Sequence, residues 1–112
     1  MVMEFEKSKL IELKEKFDSI INTEEKDNIE FWYARDLQIQ LGYKRWENFI
    51  ETIKKAMKSC ENAGIPVENH FREVTKMINL AKGAKRPIQD YMLTRYACYL
   101  IAQNGDSKKE EI

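Results

Sequence analysis

A chain of 112 residues, 34% charged and 11% aromatic, has the balance of one globular domain and leaves no room for a second. Zero formal net charge argues against a protein that coats nucleic acid over its whole surface. No apolar run approaches the ~18 residues of a membrane span, so no membrane role is expected. The acidic start MVMEFEK lacks the basic, then apolar, order of a signal peptide, and a cytoplasmic location is expected. Cys60 and Cys98 lie on apolar helical faces without CxxC spacing, and His70 is the one histidine. Buried reduced thiols follow, with no disulfide, no metal site and no cofactor.

In chain order, Leu10, Leu13, Phe17, Ile20 and Ile21 recur at helical spacing from Phe5 to Ile21, which predicts an amphipathic helix; Phe17 to Asn22 could instead be an edge strand. TEEKDN (23–28) reads as a polar turn, and IEFWYA (29–34), aromatic and β-branched, as a strand. Leu37 and Leu41 before Gly42 predict a short helix with a glycine stop. A longer helix over 45–62 follows, in which Trp46, Phe49, Ile50, Ile53, Met57 and Cys60 form one stripe and Glu51 supports Lys55 one turn on.

Residues 74–92 admit two readings. Val74, Met77, Ile78 and Ala81 fit a helical face stopped by Gly83, but RPIQDYML reads better as a strand, and a hairpin near 74–92 turning at Lys82 to Lys85 is favoured. From Leu93 to Ala102 the apolar side chains nearly encircle the wheel, so a helix over 95–103 should be deeply buried, with Thr94 capping its start and Asn104-Gly105 supplying a left-handed stop. The fold class expected is α+β: a small antiparallel sheet packed with an N-terminal helix, a long helix and a buried helix. Residues 1–28 form the helix and turn, 29–105 the domain proper, and 106–112 a charged tail.

The charge is unevenly spread. Lys76, Lys82, Lys85, Arg86 and Arg95 face only Asp90 between Val74 and Arg95, so this window is +4 and the remainder −4. Lys82, Lys85 and Arg86 on a hairpin turn would neutralise two or three phosphates, as a wing grips a backbone, although a solvated turn is the commoner fate of such a run. Lys44 and Arg45, with Tyr43 between two helices and Arg35 one short helix earlier, weakly suggest a helix-turn-helix. Glu73, Lys76 and Asp90 would make a metal-dependent nuclease only in one hairpin register, and chance explains the trio well. Tyr43 or Tyr91 could stack on unpaired bases, though a tyrosine in such a position is more often buried. His70 reads as a partly buried hydrogen-bonding residue.

Three ordered runs, FWYARDLQIQLGYKRWENF, CENAGIPVENHF and GAKRPIQDYMLTRYACYLIAQNGD, closely resemble the DNA-damage-inducible protein D (DinD) family, itself related to the N-terminal domain of BRO and phage antirepressor proteins. The likeness runs from Ile29 to Ile112. It implies an α+β domain, a bacterial or phage-derived protein of the DNA-damage (SOS) response, DNA binding by analogy, and no enzymatic activity. DinD-like chains continue beyond NGDSKKEEI, which implies an N-terminal domain or a truncated chain. Gly83, Ala84, Lys85, Arg86 and Arg95 match basic motif positions, while Trp32, Tyr33, Leu41, Tyr43, Trp46, Tyr96, Leu100 and Ile101 match positions that mainly build the core. Arg95, in the first turn of a helix, opposes the macrodipole and needs a partner, for which Asp90 is the obvious candidate.

The leading expectation is therefore a non-catalytic nucleic-acid-binding or regulatory domain whose DNA contacts come from Lys82, Lys85, Arg86, Lys44, Arg45 and Arg95. The alternative is a protein-interaction module acting on a repair or recombination protein, with a homodimer an open possibility.

Overall fold

The structure, a computed structural model, describes residues 7–105, and their side chains from residue 10 onward. The elements run α1 (Lys7–Asp18), β1 (Asn22–Glu24), β2 (Ile29–Tyr33), α2 (Ala34–Gln40), α3 (Trp46–Asn62), β3 (Phe71–Asn79), β4 (Lys85–Leu93) and α4 (Arg95–Asn104). The four strands form one antiparallel sheet in the order β1-β2-β4-β3. The α+β class and the hairpin are thus as expected. The first residues of the predicted N-terminal helix and the charged tail lie outside the described residues.

Strand alternation decides where the core lies. Trp32, Leu93 and Phe71 stand in one row across β2, β4 and β3, and all three are buried. Against that face pack Leu13 and Phe17 of α1, Leu37 of α2, Phe49, Ile53, Ala56 and Cys60 of α3, and Ala97, Cys98 and Ile101 of α4. Trp32 also anchors α1 directly, its indole N–H donating to the Phe17 carbonyl at 2.8 Å. The next side chains along each strand point the other way. Phe31, Tyr33, Val74, Ile78, Ile88 and Met92 are half-buried and take no part in this core, so among the described residues the helices cover one face of the sheet and leave the other open.

One buried carboxylate holds the sheet to α2. Asp90 is fully buried, and its Oδ1 accepts the Arg35 N–H at 3.0 Å in the first turn of α2, whose own N-cap residue, Tyr33, offers no side-chain acceptor. The same oxygen accepts the Tyr91 N–H at 2.8 Å, and the Lys76 ammonium of β3 lies 3.1 Å from Oδ2 as an ion-pair partner. An acidic side chain near a helix N-terminus satisfies an orphan donor and complements the dipole; here it comes from a strand 55 residues away.

Several expectations need correction. The predicted alternative of an edge strand at Phe17 to Asn22 falls too early and meets the observed strand only at Asn22: α1 runs to Asp18, and the edge strand is Asn22–Glu24, with Thr23 and Glu24 in the stretch expected to be a polar turn. Its outermost side chains face solvent, so no apolar alternation announces it. Leu10 is exposed and does not join the core face of α1. In α4, Tyr96, Tyr99, Leu100 and Ala102 are only half-buried, because α4 lies in the helix layer rather than at its centre. Thr94 does cap that helix, accepting the Ala97 N–H at 3.2 Å, but Gly105 has φ −72° and is no left-handed stop. Glycine is needed there for room, since a Cβ would come within 2.9 Å of the Tyr43 hydroxyl. Glu51 pairs with Lys54 at 3.8 Å, not with Lys55.

Two outcomes follow. Asp90→Ala should cost about 2–4 kcal/mol by urea unfolding, since it strands the Arg35 N–H and the Lys76 charge; Asp90→Asn, which keeps the amide acceptor, should cost less than Asp90→Ala. Cys60 and Cys98 are both free and buried, and burial pushes both thiols up, Cys98 the further. A thiol-disulfide reagent at pH 8 should therefore react slowly with native protein and rapidly with both thiols once urea unfolds it.

Candidate nucleic-acid interface

β3 and β4 pair without interruption from Phe71↔Leu93 to Asn79↔Lys85, whereas β2 joins β4 only at Trp32↔Leu93 and Tyr33↔Met92. The distal hairpin is therefore a two-stranded arm standing beyond the sheet. Its tip is closed by the Leu80 N–H donating to the Ala84 carbonyl at 2.7 Å, around a turn in which Lys82 (φ 63°) and Gly83 (φ 79°) are both left-handed. Glycine adopts that conformation freely, while a lysine held there costs about 1 kcal/mol. Lys82, Lys85 and Arg86 are all exposed, and none has a carboxylate partner among the described residues.

The second basic group reaches the same arm from its base. The Arg35 guanidinium lies 4.0 Å over the Trp46 ring, and its Nε donates to the Gln89 carbonyl at 2.8 Å. The Trp46 indole N–H reaches the Gln89 amide oxygen at 3.4 Å, which fixes the start of α3 against mid-hairpin. Lys44 and Arg45, just before Trp46, are exposed, with Arg45 3.6 Å from Glu47. Gln89 and Arg86 are three residues apart, about 10 Å along the strand, and alternation turns Gln89 and Lys85 to the helix side of the arm and Arg86 to the open side. The outward residues of the first turns of α3 are Glu47, Asn48 and Glu51, an acidic surface unsuited to entering a DNA groove. Arg35 is committed to Trp46 and Gln89, and Lys44 and Arg45 form a basic shoulder.

Arg95 is placed differently from expectation. Its guanidinium lies 3.3 Å from Glu30 and 3.8 Å from Asp18, 5.0 Å from the Trp32 ring, and does not meet Asp90. Continuing the β2–β4 register past Leu93 brings Glu30 opposite Arg95, whereas Asp90 points to the open face and is taken by Lys76 and Arg35. Glu30 and Asp18 supply the counter-charge that a cation in a first helical turn requires. The Glu73, Lys76 and Asp90 trio is divided by the register: Glu73 lies opposite Tyr91 on the helix-side face and accepts from Gln89 at 2.8 Å, while Lys76 and Asp90 share the open face. Tyr43 and Tyr91 are buried, and burial raises the Tyr91 hydroxyl above its usual range, with Glu73 adding to the effect. His70 is half-buried and 2.7 Å from the Thr94 hydroxyl.

Comparison with known proteins gives three findings. Residues 20–112 match the family described as "BRO family, N-terminal domain". The chain is 43% identical over 83 residues to DNA damage-inducible protein D of Escherichia coli (strain K12), an alignment covering 74% of this chain and 30% of that protein. The chain thus spans less than a third of that curated relative, and no solved structure matches it significantly.

Arg95→Ala should cost about 1 kcal/mol of stability, and the difference from the parent should shrink in high salt, as measured by thermal unfolding across a salt series.

Proposed function

The chain belongs to the BRO family, as an N-terminal domain of it, and from that membership we propose that it is a non-catalytic DNA-binding and regulatory domain of the DNA-damage response that grips the phosphate backbone with its hairpin arm. The observation that carries this reading is the exposure of Lys82, Lys85 and Arg86 on one hairpin tip, without a carboxylate partner among the described residues. Lys82 strengthens it, because backbone strain accepted for a cation where glycine would be easier suits a functional rather than a structural residue. Lys44 and Arg45 extend the basic surface at the base of the arm, and Arg95 serves the fold. The name of the Escherichia coli relative supports the link to DNA damage.

The mechanism is electrostatic. Each cation that neutralises a phosphate releases condensed counterions, and a two-stranded arm anchored by Asp90 presents its cations with little loss of entropy on binding. A second reading, contact with a repair or recombination protein or with a second copy, is favoured by the exposed apolar side chains Ile39, Met77 and Leu80.

Fluorescence anisotropy on a short duplex and a short single strand, each over a salt series, tests the proposal. The K82A/K85A/R86A variant should lose affinity on all sequences and flatten the slope of log affinity against log salt by about 2–3. An unchanged slope would remove the arm from the mechanism. Lys82→Gly should weaken binding while keeping stability within about 0.5 kcal/mol, because relief of strain offsets the added chain entropy.

A further inference from the structure

β3 is the outer strand of the sheet and pairs, among the described residues, with β4 alone. Its nine residues, FREVTKMIN, include no proline, and the pairing runs from Phe71↔Leu93 to Asn79↔Lys85 without a bulge. Two bonds at the ends of the arm fix which way its backbone groups point. The Leu80 N–H donates to the Ala84 carbonyl at 2.7 Å and the Thr94 N–H to the His70 carbonyl at 3.2 Å, both in that same register. Antiparallel strands exchange bonds at every second pair, so the even-numbered residues of β3 bond to β4. Phe71, Glu73, Thr75, Met77 and Asn79 therefore turn their N–H and C=O groups outward.

The side chains that ordinarily guard such an edge are drawn away from it. Lys76 reaches inward to Asp90 at 3.1 Å and to the Tyr33 ring at 3.7 Å, and Glu73 accepts from the Gln89 amide at 2.8 Å. Thr75 and Met77 beside them are exposed.

We propose that this edge pairs with the same edge of a second copy, about a two-fold axis at Thr75, joining two four-stranded sheets into one. Such pairing must keep each side chain on its own face, so only registers centred on a residue are open, and charge selects among them. Centring on Val74 sets Arg72 against Lys76, while centring on Glu73 or Lys76 sets that charge against itself. Centring on Met77 avoids like charges but engages only Thr75, Met77 and Asn79 of the outward residues. Centring on Thr75 engages all of them: Thr75 meets Thr75, Glu73 meets Met77, Phe71 meets Asn79, and on the open face Val74 meets Lys76 and Arg72 meets Ile78. The ends are complementary too, since the exposed Lys82 of each arm is brought toward the exposed Glu68 of the other. Lys85 and Arg86 belong to β4 and stay clear of the seam, so the pairing does not depend on the DNA reading. A single strand pair makes a smaller interface than a tight dimer uses, and the dimer is expected at micromolar rather than nanomolar concentration.

Sedimentation velocity of the chain over a concentration series should show a monomer–dimer equilibrium. Thr75→Pro removes an outward N–H and no bond to β4, so it should raise the dissociation constant by about 10-fold or more, with thermal unfolding as the folding check. Thr75→Cys, once oxidised, should give a disulfide-linked dimer, because facing residues of a bonded pair lie about 5.5 Å apart between Cα atoms; Met77→Cys, exposed but facing Glu73, should not. Cys60 and Cys98 are buried and stay out of that reaction. Hydrogen exchange is independent of any variant: the amides of Glu73, Thr75 and Met77 should slow as the concentration of the parent chain rises. A monomer at every concentration, a dimer that Thr75→Pro leaves intact, or stronger cross-linking through Met77→Cys would each overturn the pairing while leaving DNA binding by the arm standing. Slow exchange of these amides where the chain sediments as a monomer would give the edge to another segment and overturn it as well.

Discussion

The burial of Asp90 is the constraint on which the rest depends. A carboxylate taken wholly out of water must find several partners at once, and Asp90 finds them on three segments: the amide of Arg35 at the head of α2, the amide of Tyr91 beside it, and the ammonium of Lys76 on the neighbouring strand. These contacts set how far α2 can slide along β4 and so where Arg35 meets Trp46 and Gln89. They also lock the β3–β4 register at Val74↔Asp90, so the positions of the cations at the far end of the arm are decided in its root.

The sheet then divides labour between its faces. On one side Trp32, Phe71, Tyr91 and Leu93 interlock with the helices, and the free energy of burial is spent on holding the domain together. On the other side the same strands carry side chains at half exposure, with arginine and lysine among aromatics. A one-residue slip would exchange the two sets, which is why a buried charge and the Trp32–Leu93–Phe71 row must agree on register.

How much of this the sequence discloses depends on the range of the interactions. Helical stripes such as Phe49, Ile53 and Cys60, the hairpin around Lys82 to Lys85 and the Thr94 cap are local patterns and could be read directly. β1 was hidden because a short edge strand with its tip in solvent needs no apolar alternation, and its existence is decided by its pairing with β2. The partners of Arg95 are not legible locally, because nearness in sequence favours Asp90, whereas strand direction sends Asp90 to one face and brings Glu30 across from β2. The basic tip residues were legible from composition and turn chemistry. The Phe31 and Tyr33 face was not, since an aromatic strand looks the same whether its second side is covered or bare.

The arm has an outer edge that β2 never reaches. The Gln89 carbonyl points to that edge, where the Arg35 side chain occupies it, and two residues on Pro87 faces the same way with no N–H to offer. A neighbouring molecule seeking to add a strand there would meet a filled acceptor, a missing donor and the positive charge of Lys85 and Arg86 in succession. The β4 edge of the arm is thereby closed to strand addition by the same residues that shape its root and its tip, and β3 is left as the one strand of the arm with an open edge.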